Sequence, residues 1–107
     1  MVEVLKYKFI QKIADLPFVE EIWLFGSRAR GDNVSRSDID LAIVCPEATQ
    51  DDWRKVMDIV EEADTLLKID CVRVEGLDKT SNFLQNILDS KKILYTVGTN
   101  GKKSIQR

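Results

Sequence analysis

The sequence predicts a small α/β (α+β) domain in which a mixed sheet of about four strands carries helices packed mainly on one face. Short runs of β-branched and aromatic residues at 22–25 and 41–44 have the composition of buried strands. Apolar residues three and four apart at 2–16 and 49–66 have the periodicity of amphipathic helices. A chain of 107 residues with this alternation is long enough for one domain.

The boundaries follow from local signals. The first helix ends before Pro17, because the residue before a proline is kept out of the helical region. Thr49, with an acid three residues later, caps the second long helix. The predicted elements are helices at 2–16, 27–30, 49–66 and 81–88 and strands at 19–25, 38–44, 68–74 and 92–96. In the last helix, the residues predicted to face inward are Phe83, Leu84, Ile87 and Leu88. Residues 98–107 are polar and are predicted to form a disordered tail after a single domain at 1–97.

The composition argues against several classes of protein. A net charge of −2, from 16 basic and 18 acidic residues, argues against a dedicated nucleic-acid binder. No apolar run approaches the roughly 18 residues of a membrane span, and the N-terminus lacks the layout of a signal peptide. We therefore expect a cytoplasmic protein without a membrane partner. Cys45 and Cys71 lie in or beside apolar strands and, with no histidine in the chain, are predicted to be core thiols.

A polar motif lies between the first two predicted strands. Gly26 and Ser27 follow the first strand and can open a helical turn whose free backbone N–H groups bind anions. Asp38 and Asp40 are two residues apart at the start of the second strand, so their side chains share one face. Two carboxylates this close repel each other unless a cation lies between them. A phosphate-binding turn opposite a carboxylate pair suggests a nucleoside triphosphate bridged by Mg²⁺.

Each part of this motif also has a plainer interpretation. Gly-Ser is common in loops after strands, and Asp-x-Asp at the start of a strand can simply be solvated. Arg28 and Arg30 can contact the charge of a triphosphate, or they can pair with Asp32 or face solvent.

Taken together, the motif resembles the signature of the DNA polymerase β-like nucleotidyltransferase superfamily, which is Gly-Ser, ten residues, then Asp-x-Asp. The sequence FGSRARG at 25–31, followed by SDIDL at 37–41, resembles its minimal nucleotidyltransferase (MNT) branch. That branch includes MntA-type antitoxins, the partners of HEPN toxins. The similarity is in register over about residues 19–74 and extends to about residue 95.

The resemblance implies a third carboxylate. Polymerase β-like enzymes take two carboxylates from Asp-x-Asp and one from a neighbouring strand. Asp70 stands at the matching place if its strand and that of Asp38 are neighbours in the sheet. The alternative for Asp70, which interrupts an apolar strand, is a salt bridge to Lys68 or Arg73.

Ligand chemistry and the resemblance together predict a Mg²⁺-dependent nucleotidyltransferase. Asp38 and Asp40 would hold a first Mg²⁺ on the triphosphate, and a second ion shared with Asp70 would activate an acceptor hydroxyl. Asp70 is also a candidate to accept the hydroxyl proton, since the chain has no histidine. The predicted nucleotide-binding residues are Gly26, Ser27, Arg28 and Arg30.

The acceptor follows from the resemblance. Fewer than about 40 residues follow Asp70, so we expect a second protein to supply the substrate-binding part that larger relatives carry as a helical domain. The antitoxins of the branch imply transfer of AMP from ATP to a tyrosine of a helical HEPN-type partner in a hetero-oligomer. Two alternatives stay open. One is a non-catalytic nucleotide-binding module that neutralises its partner by contact, and the other is a transferase with a small-molecule acceptor such as an aminoglycoside.

Overall fold

The computed structural model describes residues 3–30, 38–97 and 103–105. Asp32, the alternative partner of Arg28 and Arg30, lies outside these residues. The strands and helices are α1 (Lys8–Ala14), β1 (Glu21–Phe25), α2 (Gly26–Arg30), β2 (Ile39–Val44), α3 (Gln50–Glu61), β3 (Ile69–Arg73), α4 (Asn82–Ser90), β4 (Lys92–Val97) and β5 (Lys103–Ile105). Short 3₁₀ helices occupy Glu3–Lys6 and Val74–Gly76.

The strands form one mixed sheet in the order β3-β2-β1-β4-β5. β1 is antiparallel to β2 and β4, whereas β2 and β3 are parallel. The predicted mixed α/β sheet is therefore confirmed, with one strand more than expected. That strand, β5, is antiparallel to β4 and lies in the segment predicted to be a disordered tail. Backbone pairing at a sheet edge needs no buried side chains, so the polar composition gave no sign of it.

One face of the sheet is covered by α1 and α3. Ile22 and Leu24 of β1 and Leu41 of β2 are buried in a cluster with Phe9 of α1 and Val56 of α3. Residues two apart in a strand point to the same face, so these positions define the main core.

The opposite face carries α4. Its residue Ile87 packs with Trp23, Phe25 and Ala42, which alternate with the residues of the main core. We call Trp23, Phe25, Ala42 and Ile87 the α4-side cluster. Asp40 lies on this face because its neighbours Ile39 and Leu41 are both buried in the main core. The helices are thus mainly on one face, as predicted, and α4 covers part of the other.

The prediction for the inward side of α4 is half right. Leu84 and Ile87 are buried, whereas Phe83 is 47% exposed and Leu88 is 42% exposed. Leu84 and Ile87 are three residues apart and form one narrow stripe, which Phe83 and Leu88 flank. A helix of nine residues lying on a sheet buries only that stripe.

The N-terminal segment is not the single helix that its periodicity predicts. Tyr7 is extended, with φ −83° and ψ 134°, and separates the first 3₁₀ helix from α1. The carboxylate of Asp64 accepts hydrogen bonds from the backbone N–H groups of Lys8, at 3.0 Å, and Phe9, at 3.2 Å. The first N–H groups of a helix have no partner within it. Asp64 therefore caps α1 from the turn that follows α3. That turn exists because α3 ends at Glu61 and not, as predicted, near residue 66.

Replacing Asp64 by alanine should lower the Tm by about 4 °C at pH 7, and by less near pH 3. Its hydrogen bonds with the backbone of Lys8 and Phe9 hold the pKa of Asp64 below the usual value. A lowered folded-state pKa contributes stability above the unfolded-state pKa, and this stability is lost as the pH falls through the folded-state value. Thermal unfolding across this range checks the prediction. Asp58→Ala is the control, because Asp58 is exposed on α3. If Asp64→Ala lowered the Tm equally at pH 7 and pH 3, the prediction would be contradicted.

The remaining boundaries lie within two residues of those predicted. The capping box of α3 is confirmed, because the Asp52 N–H donates to Thr49 Oγ1 at 3.1 Å and the Thr49 N–H donates to Asp52 Oδ2 at 3.0 Å. None of the helices in the described part of the chain has both the length and the apolar character to cross a membrane.

Both cysteines are free thiols, with Cys45 buried and Cys71 half-buried. Burial raises the pKa of Cys45 to about 11 and that of Cys71 to about 12. A thiol is a poor nucleophile in that state, as expected of cysteines that serve as packing residues.

Candidate functional site

The parallel pairing of β2 and β3 places two predicted site residues side by side. Asp40 is directly opposite Asp70 in the register, on the same face of the sheet as the α4-side cluster. The N–H of Ile39 donates to the carbonyl of Lys68 at 2.9 Å, which fixes this register where both strands begin. The strands of the motif and of Asp70 are thus neighbours, as the resemblance requires.

The half-buried carboxyl of Asp40 has a raised pKa. Burial is the largest cause, and the negative charges of Asp70 and Asp38 follow. A hydrogen bond between the side chains of Asp40 and Asp70 raises this pKa further, whereas the positive charge of Lys68 lowers it. Burial and like charges both disfavour the ionised carboxylate, so a cation between Asp40 and Asp70 would stabilise it.

Asp38 is exposed and directly precedes β2. Within the ranges that the structure describes, no three His, Cys, Asp or Glu side chains are grouped closely enough to hold a metal ion. The structure therefore brings Asp40 and Asp70 together and leaves Asp38 at the margin. Mg²⁺ usually takes one or two protein carboxylates and completes its shell with water and phosphate oxygens. The Asp40–Asp70 pair fits that donor set.

Gly26 begins α2, and its backbone lies against Asp40. Its φ of +74° is in the left-handed region that favours glycine. A Cβ at residue 26 would collide with the Asp40 carboxylate and would stand 3.2 Å from its Cγ. The turn that the motif predicts therefore lies directly against the Asp40 side chain. The side chain of Ser27, also predicted to be in the site, lies outside what the structure describes.

The two arginines of α2 have different surroundings. Arg28 is only 7% exposed, unlike the other charged side chains that the structure describes, whereas Arg30 is exposed. Arg30 is thus accessible to a ligand, and Arg28 lies within the fold next to the turn. The alternative partner Asp32 lies outside the described residues.

Of the two salt-bridge partners that the sequence allows for Asp70, Lys68 and Arg73, the structure places Lys68 beside it. Its Nζ lies 3.8 Å from Asp70 Oδ1. Arg73 is engaged elsewhere, because its Nη2 donates at 2.9 Å to the carbonyls of both Cys45 and Ala48. Exposed ion pairs contribute little to stability, and Lys68 and Asp70 are 70% and 48% exposed, so this pair does not by itself account for Asp70.

Phe25 of β1 and Phe83 of α4 lie on the same side of the sheet as Asp40 and are not among the predicted site residues. Phe25 is opposite Asp40 in the antiparallel register of β1 and β2. The ring of Phe83 from α4 meets Phe25 edge-on, with 5.7 Å between the ring centroids. The alternation of β1 already placed Phe25 on this face, whereas nothing local indicated the contact with Phe83.

The sequence matches the family described as Polymerase beta, Nucleotidyltransferase, over residues 8–99. No curated protein is similar enough to count as a match. A solved toxin–antitoxin structure with AMP-PNP is 20% identical, with a TM-score of 0.62, and the match covers 88% of this chain and 76% of that chain. A nucleotidyltransferase from Sulfolobus solfataricus is 23% identical, with a TM-score of 0.56 and coverage of 90% and 80%. A mutant of the toxin–antitoxin MntA-HpeT is 18% identical, with a TM-score of 0.61 and coverage of 88% and 75%.

At these identities the solved structures show a shared fold, and the family match shows descent. The resemblance to the polymerase β-like nucleotidyltransferases is thereby confirmed, and the chain shares its fold with the MntA-type structures. Because the match runs from α1 through β4, this chain belongs to the polymerase β nucleotidyltransferase family.

Proposed function

We propose that this chain is a Mg²⁺-dependent enzyme that transfers AMP from ATP to a tyrosine hydroxyl of a helical HEPN-type partner. In this proposal it acts in the cytoplasm as the antitoxin of a toxin–antitoxin pair and forms a hetero-oligomer with its target. The observation that carries the proposal is the pairing of Asp40 with Asp70 against the backbone of Gly26. Two similar structures are described as toxin–antitoxin, one of them with AMP-PNP, which supports ATP as donor and a protein as acceptor.

The carboxylates would hold the metal. Asp40 and Asp70 would be ligands from adjacent strands, with Asp38 as the third carboxylate at the beginning of β2, for two ions in all. Bound Mg²⁺ would lower the pKa of the acceptor hydroxyl and stabilise the charge of the departing pyrophosphate. Its binding would also relieve the repulsion that helps to raise the pKa of Asp40.

The chain's own groups would bind the nucleotide and move the proton. The backbone N–H groups of Gly26 and Ser27 would bind phosphate oxygens, since N–H groups at a helix start lack partners within the helix. Arg30, which is exposed, and Arg28, which is buried in the same turn, would add positive charge. Asp70 would accept the hydroxyl proton, because it faces the site and the chain has no histidine.

The proposal is tested with ATP labelled at the α-phosphate. The partner is copurified from the native host with a tagged Asp40→Asn chain, so that it arrives unmodified, and is then mixed with wild-type protein. We expect label on a partner tyrosine with Mg²⁺, no label with EDTA, and no label from ATP labelled at the γ-phosphate. Label on an added aminoglycoside and not on protein would support the small-molecule alternative.

A non-catalytic binding module is the second candidate. It is favoured by one observation, which is that the three carboxylates do not form a closed metal-binding group among the described residues. Asp38→Asn separates the two functions. If this variant still neutralises the partner as well as wild type does, contact and not AMP transfer is the function.

A further inference from the structure

Lys68 occupies a fixed position beside the candidate site. Its carbonyl accepts the N–H of Ile39, the residue between Asp38 and Asp40, at 2.9 Å. Its side chain is 70% exposed, yet its Nζ lies 3.8 Å from Asp70 Oδ1. The backbone of Lys68 is therefore held between the strands of the site, while its ammonium group lies exposed at their surface.

The ammonium group of Lys68 lies beside a group of acidic side chains. The negative charges of Asp38 and Asp70 both act on Asp40 at the beginnings of β2 and β3, and the positive charge of Lys68 opposes them there. Lysine presents a compact point charge on a flexible stem, which resembles a small cation more closely than the planar group of arginine does.

We propose that Lys68 is a built-in counterion of the Asp40–Asp70 pair. Its ammonium group neutralises the pair when no divalent cation is bound and leaves Asp70 when a cation arrives. Lys68 is thus a positioning residue that lowers the affinity of the site for divalent cations. An exposed ion pair separates at little cost, so the exchange is reversible. The inference rests on the proposed function in taking Mg²⁺ as the cation that the Asp40–Asp70 pair binds.

The first test measures Mn²⁺ binding by calorimetry in wild type, Lys68→Gln and Lys55→Gln. Lys55 is the matched control, because its Nζ is also 3.8 Å from a carboxylate, that of Asp52, but the pair lies on α3. We expect Lys68→Gln to bind Mn²⁺ about two- to fivefold more tightly than wild type. Lys55→Gln should bind as wild type does. Unchanged or weaker Mn²⁺ binding in Lys68→Gln would overturn the inference. So would a loss of AMP-PNP affinity in Lys68→Gln with unchanged Mn²⁺ affinity, since Lys68 would then be a phosphate ligand.

The second test needs no metal and separates this inference from the proposed function. In EDTA, Lys68→Gln leaves two facing carboxylates without their counterion, so its Tm should fall more than that of Lys55→Gln. Adding Asp70→Asn to Lys68→Gln removes the repulsion between the two carboxylates, so the double variant should regain the Tm that Lys68→Gln loses. If wild type binds no Mn²⁺, the proposed function fails, and the EDTA comparison alone then decides whether Lys68 is the counterion. Equal Tm values for Lys68→Gln and Lys55→Gln in EDTA would overturn the inference that Lys68 is the counterion.

Discussion

Asp40→Asn should reduce AMP transfer by a factor on the order of 10³ or more, and at the same time raise the Tm of the metal-free protein. Asparagine keeps the shape of the side chain and removes its charge, which a Mg²⁺ ligand requires. The gain in stability follows from the raised pKa of Asp40, whose causes are burial and the charges of Asp70 and Asp38. At neutral pH the ionised carboxylate is held in surroundings that disfavour it.

The sign of the stability change depends on pH. A group with a raised folded-state pKa contributes stability below its unfolded-state pKa, and this contribution is lost as the pH rises through the folded-state value. We therefore expect Asp40→Asn to raise the Tm by about 2–4 °C at pH 7 in EDTA, and to have little effect below pH ~3.5. Mg²⁺ with AMP-PNP should raise the Tm of wild type and not that of the variant.

Asp58→Asn is the control for the loss of one negative charge, because Asp58 is exposed on α3 away from the site. Its transfer activity should equal that of wild type. A lower Tm for Asp40→Asn in EDTA would mean that the carboxylate stabilises the apo protein. Full transfer activity in the same variant would exclude Asp40 from the reaction.

Gly26→Ala should both destabilise the protein and reduce transfer by at least about 10²-fold. The φ of +74° is costly for an alanine, and the new methyl group would collide with the Asp40 carboxylate. Either the turn or the carboxylate must then move, and both belong to the proposed site. We expect the Tm to fall by about 8 °C or more. Thermal unfolding and the labelled-ATP assay measure the two effects.

Gly76→Ala provides a matched control, since a Cβ at Gly76 would meet nothing within 4 Å. It should leave the Tm and the activity near the wild-type values. A double-mutant cycle with Asp40→Ala isolates the collision, because only the backbone strain at residue 26 remains when the carboxylate is absent. The Tm loss from Gly26→Ala should therefore be smaller in the Asp40→Ala background. An equal loss in both backgrounds would show that the contact with Asp40 is unimportant.

The sequence was sufficient to predict the first four strands and the face of the sheet that carries the acids. Because side chains alternate along a strand, Asp40 must point to the opposite face of the sheet from Ile39 and Leu41, whatever surrounds the strand. The same rule explains the partner of Asp70. Lys68 is two residues away and shares its face, whereas Arg73 is three residues away and points to the other side, where it reaches Cys45 and Ala48.

The features that the sequence did not indicate depend on residues far apart in the chain. After the break at Tyr7, the carboxylate of Asp64 caps α1, and no local pattern reveals that cap. The exposure of Phe83 and Leu88 depends on how α4 lies on the sheet, which its own periodicity does not specify. β5 forms because the edge of β4 offers free backbone groups, which have no side-chain signature.

The cap on α1 also bears on how the chain acquires its structure during synthesis. Lys8 and Asp64 are 56 positions apart, so the first helix is completed only after α3 has left the ribosome. β1 is in a similar position, because one of its two neighbours in the sheet is β4. Contacts between distant positions slow folding, since a long loop must close before the contact forms. The sheet of the nascent chain would therefore remain incomplete until β4, which ends at Val97, has been translated.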